Sequence, residues 1–175
     1  ISLDEARRRL ASAVQPIGRC ERVGLRDAIG RVVSADVTSP GDVPPFARSA
    51  MDGYAVVAAD TAGASRTGPR ALRLVERIYA GQMPREAVGS GACAEIATGA
   101  PLPHGADAVV MVEETSKSGE GTIEVFSPVT IGQNVGPRGA DISTGDLILR
   151  AGEILSPARV GALAAVGATH VDVYA

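Results

Sequence analysis

The chain has 175 residues, 45% of them hydrophobic and 21% charged, with a formal net charge of −3. Such a composition fills one good core or two small ones and excludes a disordered chain. Residues 1–40 carry seven Arg against five acids, residues 41–146 carry eight bases against thirteen acids, and the remainder balances, so no basic face interleaved with aromatics awaits a nucleic acid.

The first predicted element is a helix over "SLDEARRRLASAV". Ser2 and Glu5 have capping-box spacing, Leu3, Ala6, Leu10, Ala13 and Val14 share a face, and Pro16 stops it. Arg7, Arg8 and Arg9 then read as a solvated face. "LRDAIG" predicts a short helical turn closed by Gly30, leading into the extended "RVVSADVTSP". From Ser39 the pattern changes to short strands: "YAVVAA", "LRLVERI", "ACAEIAT", "DAVVMVEET" and "GTIEVFSPV". Hairpin-like punctuation stands at Gly89-Ser90-Gly91 and at residues 118–121. After "GDLILRAGEIL", Ser156 and Pro157 supply an N-cap and a first helical residue for "ARVGALAAVGA", Gly167 closes that helix, and "HVDVY" predicts a last strand. The expected fold class is a β-rich α+β chain, with a small discontinuous α/β domain and an inserted all-β, barrel-like domain.

No apolar run is long enough for a membrane helix, and no signal-peptide pattern opens the chain, so the protein reads as cytoplasmic, with no membrane partner and no nucleic-acid partner. Cys20 and Cys93 stand alone and fit neither a zinc knuckle nor a disulfide framework. His104 and His170 form no metal-ligating pattern, and no phosphate-loop or nucleophile-elbow motif occurs. Beginning at Ile1 and stopping just after "HVDVY", the sequence reads as a piece of a longer protein.

Three polar clusters remain as candidates: Arg48, Ser49 and Asp52; Thr98-Gly99; and Arg138 with Asp141. Thr98 offers a hydroxyl, and Gly99 lets an oxyanion approach the backbone N–H groups. Asp52 and Asp141 are the residue type for Mg²⁺, which takes one or two carboxylates and leaves the rest to water and phosphate. Arg48 and Arg138 suit a bidentate grip on an oxyanion. Each also has a plainer structural role open to it, as an Asx turn, a capping hydroxyl or a surface ion pair.

The stretch "PPFARSAMDGYAV" (residues 44–56) resembles the signature of the molybdopterin molybdenumtransferases, a family that includes the E domain of gephyrin. "IATGAPLPHGADAVVMVEET", "GQNVGPRGADISTGDLIL" and "AGEILSPARVGALAAVGATHVDV" resemble further blocks of that family in the same order. The resemblance implies a β domain at 39–145 inserted into a small α/β domain at 20–38 and 146–175. It also implies a leading helix, 1–19, that packs on a later pterin-binding domain. It implies an enzyme that, assisted by Mg²⁺, inserts molybdate into adenylylated molybdopterin, in a cleft completed by the pterin-binding domain of a homodimer partner. Carried over by position, Asp52, Thr98 and Asp141 match catalytic residues, with Asp52 and Asp141 as metal ligands and Ser49, Arg138 and Gly99 beside the substrate. Gly136-Pro137 stands where relatives often have more basic residues, which weakens that loop as an anion clamp. A non-catalytic dimerisation or scaffold module of the same fold is the alternative.

Overall fold

The computed structural model describes residues 1–15 and 17–175; the stop expected at Pro16 lies outside the described residues. The chain forms two compact units, one from Ile1–Gly41 with Thr144–Ala175, the other from Asp42–Ser143. It is β-rich, with two α-helices among the described residues.

The first unit begins with α1 (Leu3–Ala13), then β1 (Cys20–Gly24), a 3-10 turn at Leu25–Asp27 and β2 (Val37–Thr38). Ser2 caps α1 as its spacing predicts, its hydroxyl accepting from the Glu5 N–H at 3.2 Å. The reciprocal half of the capping box does not form, because the Glu5 carboxylate pairs with Arg9 one turn on. No residue of α1 is buried, and Leu3 and Leu10 are each 66% exposed. The rest of this unit is β11 (Leu147–Leu149), α2 (Pro157–Ala165) and β12 (His170–Tyr174). Ser156 caps α2 through the Arg159 N–H with Pro157 as its first residue, and β12 lies antiparallel to β1 with Tyr174 opposite Cys20. Leu163 from α2 packs with Ala28, Val33, Leu149, Leu155 and Val173, all 2% exposed or less.

In the second unit β3 (Arg48–Ser49), β4 (Gly53–Val56), β5 (Arg70–Ile78) and β6 (Ala92–Ile96) are followed by β7 (Ala108–Met111) and β8 (Thr115–Lys117). Then come β9 (Thr122–Val125) and β10 (Val135–Gly136). Six of these strands make one sheet in the order β7-β4-β6-β5-β9-β8, so the expected barrel-like domain is, in its hydrogen-bonded order, a sheet with β7 and β8 at its ends. Alternation along the strands sends Tyr54, Val56 and Cys93 to one core and Ala55, Ala94 and Ile96 to another. The sheet is therefore covered on both faces at β4 and β7, which is why "GYAV" and "AVVM" read as unbroken apolar runs, whereas β5 carries charged residues on an open face.

Two sequence expectations are corrected here. The strands on either side of Gly89-Ser90-Gly91 do not make a hairpin, because β5 and β6 run parallel. Parallel neighbours need a long crossover, and the connection 79–91 supplies it, pinned where the Glu76 carboxylate accepts the N–H groups of Arg85 and Glu86 at 3.0–3.1 Å. The single strand expected over "DAVVMVEET" is broken by a 3-10 turn at Val112–Glu114, which separates β7 from β8. That turn is closed by the Thr115 hydroxyl donating to the Val112 carbonyl at 2.8 Å. The hairpin predicted at 118–121 does form, between β8 and β9. Among the described residues no helix is long and apolar enough to cross a membrane.

Candidate functional site

Three segments far apart in sequence meet in the second unit. β3 pairs with β10, setting Ser49 opposite Val135, while the Ser49 N–H donates to the Ala100 carbonyl at 3.0 Å and the Gly99 N–H donates to the Ser49 carbonyl at 2.8 Å. The turn from Ser49 to Asp52 is thus held between the segments carrying Thr98 and Asn134. Sequence spacing of 46 residues hides what the fold makes adjacent: Asp52 Oδ1 accepts from the Thr98 N–H at 2.7 Å and from the Thr98 hydroxyl at 2.8 Å.

These two bonds favour the ionised form of Asp52. The Thr98 N–H, and after it the hydroxyl, hold the exposed carboxyl below its ordinary value. Any stability this contributes is present above the unfolded-chain value and is lost as pH falls through the lowered folded one. Thr98→Val keeps the N–H and removes the hydroxyl donor, so the Asp52 pKa should move up toward the ordinary carboxylate value. Carboxyl-carbon NMR through an acid titration measures it, and an unmoved titration would show that the hydroxyl bond does not form in solution.

The remaining candidates take different roles. The Thr98 and Gly99 N–H groups expected to meet an oxyanion are both spent inside the protein, on Asp52 and Ser49. Gly99, at φ +82, serves as the left-handed residue that lets the chain turn there. Ser49 is 1% exposed, and its hydroxyl donates to the Met51 carbonyl, shaping the turn that presents Asp52. Arg138 pairs through Nε with Asp42, and Arg48 lies 3.9 Å from Asp141 across an exposed ion pair. Residues 138–142 are stitched to 43 and 44 by the N–H groups of Gly139 and Asp141, which donate to the carbonyls of Pro44 and Val43 at 2.9 Å.

Sequence reasoning missed Asn134. It sits at φ +59, donates from Nδ2 to the Val109 carbonyl at 2.9 Å, and accepts the Ala50 N–H on its own carbonyl at 2.9 Å. The signal was present in "GQNVG", since Asn is the non-glycine residue that best tolerates this conformation. Also missed was a cleft of about 370 Å³ lined by Asp52, Gly53, Ile78, Tyr79, Glu95, Ile96, Ala97 and Val112. Cys93 is buried beside this region, its thiol pushed up to about 12 by burial and, secondarily, by Glu95; it is an inert core residue.

Among the described residues no group of three or more His, Cys, Asp or Glu is placed to hold a metal ion. Asp52 and Asp141 are exposed carboxylates, the residue type of which Mg²⁺ takes one or two, but they have different partners, Asp52 bonding with Thr98 and Asp141 lying 3.9 Å from Arg48, and among the described residues no contact joins them.

Residues 1–167 match the family described as the MoeA N-terminal region (domain I and II). The chain belongs to that family. It is 36% identical over 176 residues to the molybdopterin molybdenumtransferase of Bacillus subtilis, covering 99% of this chain and 41% of that one. It is 32% identical over 151 residues to the Staphylococcus aureus enzyme of the same name, covering 86% of this chain and 36% of that one. The crystal structure of a molybdopterin biosynthesis MoeA protein from Pyrococcus horikoshii superposes with a TM-score of 0.92 at 36% identity, over 99% of this chain and 44% of that one. This MoeA N-terminal region thus spans about two fifths of the length of these relatives.

Proposed function

We propose that this MoeA N-terminal region supplies one wall of the active site of a cytoplasmic enzyme of molybdenum cofactor biosynthesis, which inserts molybdate into adenylylated molybdopterin. What carries the reading is the Asp52–Thr98 pair: an exposed carboxylate oriented by two hydrogen bonds from a distant segment, in a chain related to molybdopterin molybdenumtransferases. The same two bonds tie the Thr98 segment to the start of β4, so the charge of Asp52 and its structural bonds are separated by the Asp52→Asn comparison argued below. Asp52 and Asp141 would hold Mg²⁺, which when bound supplies Lewis-acid polarisation of a phosphate oxygen. Arg48 and Arg138 would bind oxyanion oxygens, exchanging their present carboxylate partners for the ligand. The remainder of the site comes from a pterin-binding domain of a dimer partner.

The test compares two preparations, this 175-residue chain and a chain extended to the length of its relatives. Each is incubated with adenylylated molybdopterin, Mg²⁺ and molybdate, and active cofactor is scored by reconstituting a molybdenum-dependent apoenzyme. Activity is expected from the extended chain alone. Turnover by the 175-residue chain would sink the shared site, and an inactive extended chain would sink the enzymatic reading.

A second reading is a dimerisation or scaffold module, and it shares one observation with the first, in which the same helix packs on a pterin-binding domain. The apolar face of α1 is uncovered, with Leu3, Leu10 and Val14 each at least 64% exposed. An extended chain that dimerises through this helix yet forms no cofactor would support it.

A further inference from the structure

Asp52 and Asp141 share no contact among the described residues, so their relative placement depends on what joins the segments that carry them. β3 leads into the turn that ends at Asp52, and β10 leads into the segment with Arg138 and Asp141. The two strands pair, Ser49 opposite Val135 and Arg48 opposite Gly136, but a pair this short is marginal by itself. Asn134 stands at its end. We infer that Asn134 is a positioning residue, whose side-chain amide ties the β3–β10 pair to β7 and so fixes where the two carboxylates stand. The inference rests on the function proposed above and adds a residue that touches neither ligand nor metal in it.

β7 is an end strand of the six-stranded sheet, and Val109, 0% exposed, turns its N–H and carbonyl away from β4 toward residues 133 and 134. The N–H donates to the Gln133 carbonyl at 3.0 Å. A buried carbonyl left without a donor is costly, and here the donor is Asn134 Nδ2 at 2.9 Å, where a further strand would have placed a backbone N–H. The carbonyl of the same residue accepts the Ala50 N–H at 2.9 Å, two residues before Asp52. One residue thus grips β7 with its side chain and the Asp52 turn with its backbone. Val135, the next residue, packs against the core that contains Val109.

The plainer role, an Asn that merely closes its own turn, makes a different demand on the residue. A left-handed backbone at φ +59 is all that turn requires, and glycine supplies it more cheaply than Asn. Asn is the residue that accepts this conformation and still carries a donor. The other bonds of the two segments are local by comparison. The Asp52 carbonyl accepts the Val112 N–H at 3.1 Å, and the N–H groups of Gly139 and Asp141 donate to the carbonyls of Pro44 and Val43 at 2.9 Å. They shape each segment, while the Asn134 amide refers the β3–β10 pair to the sheet.

The experiment compares Asn134→Gly and Asn134→Asp with the unchanged chain. Glycine keeps the left-handed turn and drops the amide. Aspartate keeps the size, sets an oxygen against the Val109 carbonyl and brings none of glycine's freedom, so an effect of the missing bond must appear in both. Residual dipolar couplings of the isotope-labelled 175-residue chain report how Arg48, Ala50, Val135 and Gly136 are oriented against β4 and β7. All should fit one frame in the unchanged chain, and those four should leave it in the variants while the melting temperature moves by a few degrees at most. Amide exchange at Ala50 and Val109 should quicken about tenfold, as local opening becomes easier. In chains extended to the length of their relatives, kcat should fall about tenfold, since misplacing a reacting group by about 1 Å costs factors of up to about 10². Unchanged couplings and exchange in Asn134→Gly, or altered couplings with an unaltered kcat, would overturn the inference. The couplings are read without turnover, so an extended chain that is inactive even with Asn134 in place would sink the enzymatic reading, and the couplings would still decide whether Asn134 sets the geometry.

Discussion

Asp52→Asn, in a chain extended to the length of its relatives, should lower molybdenum-inserting activity by about a hundredfold or more while the melting temperature barely moves. The carboxamide that replaces the carboxylate still offers an oxygen where Oδ1 now accepts from the Thr98 N–H and hydroxyl at 2.7 and 2.8 Å. Geometry is kept and charge is lost. Since Asp52 is fully exposed, the change desolvates nothing and opens no cavity. The activity loss follows from removing the charge that would hold Mg²⁺, and single electrostatic groups at reacting centres carry factors of about 10²–10³. If Asp52 instead existed to anchor Thr98, activity would fall only as far as the folded fraction falls. Melting temperature and activity measured on one preparation separate the two, and a stable variant with undiminished activity would take Asp52 out of the site.

The contrast between what the sequence disclosed and what it hid follows the range of the interactions involved. Ser2 and Ser156 announce their helices because a cap and its N–H partner lie three residues apart. Gly30 and Gly167, at φ +81, end their turns for reasons equally local. By contrast, nothing near "LRLVERI" or "ACAEIAT" says that these strands run parallel, since that depends on where the connection 79–91 is pinned. The site divides the same way. Asp52, Thr98 and Asp141 were legible as polar residues among Gly and Pro, but the Asp52–Thr98 bond is a product of β4 pairing with β6 and of the Ser49 bonds to Gly99 and Ala100 just beyond it. That adjacency also gives the Gly99 N–H a partner in the Ser49 carbonyl, which its sequence neighbours do not announce. Tyr79 and Glu95 gave no warning because an exposed aromatic and a paired acid are ordinary in any sequence.

The residue next to Asp52 yields the largest stability effect. Gly53→Ala should cost about 4 kcal/mol or more, or prevent the second unit from folding. Gly53 opens β4, the strand between β6 and β7, where it lies opposite Ile96 on one side and Met111 on the other. A Cβ placed on it would stand 1.9 Å from the Val110 carbonyl oxygen and 3.1 Å from the Met111 Cα. Those atoms are backbone, so no rotamer change relieves the overlap. β7 would have to move away from β4 just before it leaves the sheet for the 3-10 turn at Val112–Glu114, whose first N–H donates to the Asp52 carbonyl at 3.1 Å. The same shift would disturb the cleft and the orientation of Asp52. Gly41→Ala is the control, because nothing lies within 4 Å of a Cβ there and the backbone is not left-handed. It reports what glycine's extra freedom in the unfolded chain is worth, a stabilisation of about 0.4–1 kcal/mol. Denaturant unfolding of both variants gives the comparison, and a Gly53→Ala protein as stable as Gly41→Ala would mean that β7 does not approach β4 as closely as the structure has it.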